Sequence, residues 1–182
     1  VKRKGLLLVT GCAEKRFDTL NNREQLPFGT GAGRWADYSL DDAFRLRVML
    51  TAVDQAGLNL ENGLYLAVSG VGKLSMHPLN YPESYGAMWV AVCTVTEPDP
   101  EVKETHWRFA VAGRQEDLAG LAAAHIDRNH LGSKLVAMVA VNASEAALHV
   151  RDAARDIGLP ESDDYSPVWE NWQWPSWVGS DK

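Results

Sequence analysis

The chain has 182 residues, 46% hydrophobic and 23% charged, enough for one ordinary globular domain or two small ones and unlike a fibrous or disordered sequence. No apolar run approaches the roughly 20 residues of a membrane helix, and two cysteines, Cys12 and Cys93, are too few for a disulfide-stapled scaffold. The net charge of −6 divides unevenly: residues 1–75 carry ten Lys/Arg against eight Asp/Glu and residues 76–182 carry eight against sixteen, so an acidic remainder opposes indiscriminate coating of DNA.

The opening Lys2-Arg3-Lys4, followed by Gly5 to Thr10 and Gly11-Cys12, imitates a lipoprotein signal. Its apolar stretch falls short of the roughly 7–15 residues such a signal needs, so the expectation is a cytoplasmic protein. Two short helices with a tight turn at Gly11-Cys12-Ala13 are predicted next, because Phe17 and Leu20 share one face of the second. Leu26-Pro27-Phe28 is expected to end that helix, since Pro27 lacks a backbone donor. Gly29-Thr30-Gly31-Ala32-Gly33, followed by Arg34 to Tyr38, reads as a glycine-tipped β-wing.

A third helix starts with Ser39 as N-cap and Asp41 and Asp42 in its first turn, buries Ala43, Phe44, Leu46, Leu50 and Val53, and stops near Gly57. Another short helix runs from Leu58-Asn59-Leu60 to about Val68. Gly70, Gly72, Pro78 and Pro82 then mark a linker, 71–84. Met88 to Thr96 and Trp107 to Ala112 are strand-like and suited to a hairpin, Gln115 to Asn129 is helical, and Lys134 to Val141 is a third strand. Ser144 is expected to cap a last helix, to Ile157. The expected fold is therefore α+β: an N-terminal winged helix-turn-helix over 1–70, an α/β sheet domain in the order β-β-α-β-α over 85–160, and a tail over 161–182.

The order and spacing of the first 66 residues resemble the MerR-like winged helix-turn-helix. Gly11 to Pro27 has the length and apolar register of that family's turn and recognition helix, Tyr38-Ser39-Leu40-Asp41-Asp42 resembles its Tyr-Ser helix start, and Gly57-Leu58-Asn59-Leu60-Glu61 its closing segment. The family usually has an arginine and two aromatics where this chain has Asp18, Thr19 and Leu20, and a wing arginine where it has Ala36. Two usual phosphate contacts are thus missing. The resemblance implies double-stranded DNA as partner, with Lys15, Arg16, Thr19, Asn21, Asn22, Arg23, Arg34 and Tyr38 at the interface. Arginine suits guanine and asparagine suits adenine, while Lys15 and the wing Arg34 suit phosphates; Thr19 either touches a base or caps locally. The family's long dimerisation helix has no counterpart, so a homodimer would need another surface, such as the sheet edge or the tail.

Other motifs fail on spacing. Gly29 to Gly33 lacks the Gly-x-Gly-x-x-Gly pattern, and Ser69-Gly70-Val71-Gly72-Lys73-Leu74 lacks the first glycine and the Ser/Thr of a P-loop. His125 and His130 are five apart and neither cysteine has a CxxC partner, so neither a metal nor a cofactor is expected. Trp169, Trp172, Trp174 and Trp177 in the tail are suited either to ligand or partner contact or to packing on their own domain.

The expected function is transcription regulation by a non-enzymatic DNA-binding protein whose C-terminal domain takes a small-molecule or protein effector. The alternatives are a protein-interaction module reusing the winged fold and a small hydrolase built on Cys93 and His106.

Overall fold

The computed structural model describes residues 1–29, 37–74, 77–80, 87–96, 106–129 and 132–159. Its elements are α1 (Arg3–Thr10), α2 (Glu14–Asn22), α3 (Leu40–Asp54), α4 (Leu60–Tyr65), β1 (Met88–Thr96), β2 (His106–Arg114), α5 (Leu118–Asn129), β3 (Lys134–Asn142) and α6 (Ala143–Asp156). The fold is mixed α and β, with six α-helices and a three-stranded antiparallel sheet among the described residues.

The turn between α1 and α2 is built by three local devices. Gly11 takes a left-handed conformation (φ 67°) that glycine adopts without steric cost. The Thr10 hydroxyl donates to the Leu6 carbonyl at 2.8 Å and accepts the Cys12 N–H at 3.3 Å. Arg47 of α3 donates to the Thr10 carbonyl at 3.3 Å, which occupies one of the acceptors a helix end leaves open. α2 ends at Asn22, earlier than the Pro27 stop expected from sequence. The chain leaves the helix through Glu24 at φ 56°, with the Gln25 N–H donating to the Leu20 carbonyl at 2.8 Å, so a local cap acts before the proline is reached.

The described residues resume after the glycine-rich stretch at Asp37, which bridges to Lys2, and the Tyr38 N–H donates to the Val1 carbonyl at 2.8 Å. The wing expected between them, including Arg34, lies outside the described residues. Ser39 caps α3 reciprocally: its hydroxyl accepts the Asp42 N–H at 2.9 Å, and the Asp42 carboxylate accepts the Ser39 N–H at 2.8 Å. α3 buries nine residues, including Phe44, Leu46, Val48 and Met49, because it lies at the centre of the helical layer rather than on its surface.

α4 gives way to a π-turn, Leu66–Gly70, and a 3₁₀ turn, Val71–Lys73, that carry the chain onto the sheet. A Cβ at Gly70 would lie 3.0 Å from the Leu66 side chain and 3.2 Å from that of Val90, so glycine permits this close approach to β1. The P-loop-like stretch is therefore helical backbone packed on the sheet.

The sheet order is β2-β1-β3, with Cys93 opposite Phe109 on β2 and Met138 on β3, and a bulge where β1 passes from Thr94 to Val95. Asn142, not Ser144, caps α6: its side chain accepts the Glu145 N–H at 3.0 Å, and Ser144 is buried with its hydroxyl accepting the Met88 N–H at 2.9 Å. The strand runs straight into the helix, so the polar residue at the junction, Asn142, is the one still in extended conformation.

One sheet face packs on the helices. Val90, Val92 and Val141 join residues of α1, α2, α3 and α6 in one buried cluster, so segments 1–70 and 85–160 contribute to a common core. Among the described residues the other face is covered by α5, where Ala91, Cys93, Val95, Phe109 and Val111 meet Leu118, Ala122 and Ile126.

Candidate nucleic-acid interface

α2 is amphipathic in the simplest sense. Phe17 and Leu20 are 2% and 3% exposed and fasten it to the core, while Lys15, Thr19 and Asn22, spaced i, i+4 and i+7, lie exposed on the opposite face with Arg23 beside them. Phe17 packs edge-on against Tyr38, with ring centroids 6.0 Å apart, and Tyr38 packs edge-on against Phe28 at 5.7 Å. Tyr38 is thus buried behind α2, where it sets the position of the helix; burial raises the pKa of its phenol.

The basic groups of the first helices differ in availability. Arg16 is bound to Asp54 at the end of α3 at 2.6 Å, and that hydrogen bond raises its pKa further. Arg3 holds Asp18 at 2.6 Å and Glu14 at 3.3 Å while lying over the Phe17 ring, and Lys2 pairs with Asp37 at 2.8 Å. Lys4, Lys15 and Arg23 carry no ion pair among the described residues. The Thr19 hydroxyl donates to the Lys15 carbonyl at 2.9 Å, so its donor is used within the helix. Asn21 is half-buried beside the exposed Asn22.

At the start of α3, Asp41, Arg45 and His77 form a largely buried polar cluster that no sequence motif marked. One carboxylate oxygen of Asp41 accepts from Arg45 Nε at 2.7 Å and the other lies 2.7 Å from His77 Nε2. The Leu79 N–H donates to His77 Nδ1 at 3.3 Å, which places the imidazole proton on Nε2, toward Asp41. Arg45 also reaches the Ala67 carbonyl at 3.4 Å, tying α3 to the π-turn. Burial pushes the Asp41 carboxyl upward, but the His77 hydrogen bond and the charge and hydrogen bond of Arg45 together hold it below the ordinary aspartate range. The available signal was Arg45 itself, a charge among Phe44, Leu46 and Val48 and four residues after an aspartate.

Cys93 and His106 are not brought together. Cys93 faces α5 opposite Phe109, whereas His106 pairs with Thr96, three residues along β1 and therefore on the other face. Burial pushes the Cys93 thiol up to about 11, partly opposed by Lys73, which is the reverse of an activated nucleophile. Trp169, Trp172, Trp174 and Trp177 lie outside the described residues. Among the described residues no helix is long and apolar enough to cross a membrane. The chain matches no model of a known protein family and no curated protein.

Proposed function

We propose that this chain is a cytoplasmic, sequence-specific DNA-binding regulator of the MerR-like winged-helix class, with α2 as its recognition helix. The observation that carries the reading is the polar exposed stripe of Lys15, Thr19, Asn22 and Arg23 on a helix whose opposite face is locked down by Phe17 and Leu20. Arg23 reads guanine and Asn22 adenine, while Lys15 and the wing Arg34 meet phosphates. Arg16 acts mainly by holding α2 against Asp54, and Tyr38 by packing behind it.

The test is selection from a pool of random duplexes across a salt series, with wild type, Arg23→Ala and Arg16→Ala. An enriched motif is expected, with Arg23→Ala costing about 1–3 kcal/mol and relaxing one position, and with log affinity falling at about 0.9 per phosphate contact in log salt. A palindromic motif makes the protein a dimer on DNA. No enrichment together with salt-insensitive binding overturns the reading.

The second reading, a winged fold reused for protein contact, is supported by β3. It is an outer strand of the described sheet whose Leu135, Val136 and Met138 are exposed, and exposed apolar side chains on an outer strand suit contact with another protein.

A further inference from the structure

The opposite edge of the sheet is not bare. At Ala110–Ala112 the outer strand β2 lines a cleft of about 280 Å³, near the lower end of the roughly 300–1,000 Å³ typical of small-molecule sites. Leu121, His125 and Arg128 of α5 form one wall, and Lys73 from the 3₁₀ turn reaches it from a different element. Two features give the cleft a chemical character. Among the described residues its lining holds lysine, arginine and histidine but no carboxylate, in a chain with a net charge of −6. Neither Lys73 nor Arg128 has an ion-pair partner among the described residues.

The third basic side chain is positioned. The His125 ring stacks on Phe109 with centroids 4.1 Å apart. The Asn129 amide donates to the His125 carbonyl at 3.0 Å and lies 3.4 Å from its Nδ1. Around these polar groups the lining is alanine, valine and leucine, so an occupant needs an apolar body as well as an anionic head.

We propose that this cleft binds a small organic anion, its carboxylate or phosphate head between Lys73 and Arg128 and its apolar body against the edge of β2. A positively charged or purely polar molecule matches only half of the lining. The site stands independently of whether α2 meets DNA, and its test contains no DNA.

The experiment is titration of the ¹⁵N-labelled full chain with benzoate, phenyl phosphate and the neutral benzamide, followed by amide shifts. Benzoate or phenyl phosphate is expected to bind with a Kd of about 1 mM or tighter, with shifts centred on Ala110–Ala112 and α5. Benzamide is expected to bind at least about fivefold more weakly, and Lys73→Gln with Arg128→Gln to weaken the anion by a similar factor. Both residues are exposed, so the double variant keeps its fold; Ala124→Trp, which fills the cleft, is expected to abolish the shifts. Which of the two anions binds more tightly assigns the head group. The proposal is overturned if neither anion shifts these amides, if benzamide binds as well as benzoate, or if the double variant binds as wild type does.

Discussion

The two faces of the sheet are covered very differently. On one, Val90 and Val92 share a large buried cluster with residues of α1, α3, α6 and the π-turn; on the other, among the described residues, one helix, α5, crosses the strands, with Trp107, Leu121, Leu135 and Met138 between 37% and 42% exposed. The thick side is where α2 is anchored and where a buried ionic cluster is tolerated because every partner is present. The thin side is where solvent reaches the sheet and where the basic cleft opens. Precision of placement needs many fixed neighbours, whereas a binding cleft needs an incompletely covered surface.

The largest expected effect is on the thick side. Phe44→Ala should destabilise by about 3–5 kcal/mol, and Ile126→Ala on the thin side by about 2 kcal/mol, measured as urea midpoints at constant slope. Equal losses would remove the distinction between the faces. Next, Asp41→Asn leaves Arg45 buried without its carboxylate and should cost about 3 kcal/mol at neutral pH.

The same residue sets an acid limb. Because the folded carboxyl titrates below its unfolded value of about 3.9, the unfolded chain takes up the proton first as pH falls. The Asp41 contribution is therefore complete above that unfolded value and is lost as pH drops through the lower folded one. Asp42 acts in the opposite sense, since burial raises it against the Ser39 hydrogen bonds. Urea midpoints compared between wild type and Asp41→Asn from about pH 5 to 2 should converge toward the acid end.

Smaller still, Ser39→Ala should cost about 1 kcal/mol through loss of the reciprocal cap, readable as a lower melting temperature. Finally, native-state thiol labelling should reach Cys93 through opening of α5 alone, with less dependence on urea than global unfolding shows. Labelling that tracks global unfolding would mean that one helix closes its face as firmly as the layer opposite.

Much of the chain was legible as local pattern. β1 begins and ends where its run of β-branched and aromatic residues does, and Ser39 with Asp42 announces α3 through a hydrogen-bond pattern spanning three residues. The miss at Ser144 has the same cause in reverse: two residues, two apart, were both chemically able to cap, and only the point at which β3 stops being extended chose Asn142. Of the candidate site residues, the resemblance named Lys15, Thr19 and Asn22 alongside Arg16, Asn21, Arg23 and Tyr38, and the shared face of Phe17 and Leu20 left the polar residues of α2 to the opposite side. Neither gave a sign that Arg16 would be held by Asp54, 38 residues away, or that Tyr38 would turn inward against Phe17.

The sequence by itself determined most of the described helices and strands, the amphipathic face of α2 and the mixed α and β composition of the fold, because these depend on propensities, caps and spacings within a few residues. Only the tertiary structure decided that segments 1–70 and 85–160 share one core, that Asp41, Arg45 and His77 meet, that Cys93 and His106 face apart, and that Lys73 and Arg128 converge on a cleft. Apart from the Asp41–Arg45 pair, four residues apart on α3, each depends on residues distant along the chain and is fixed by which faces bury together and by strand register, which no local pattern encodes.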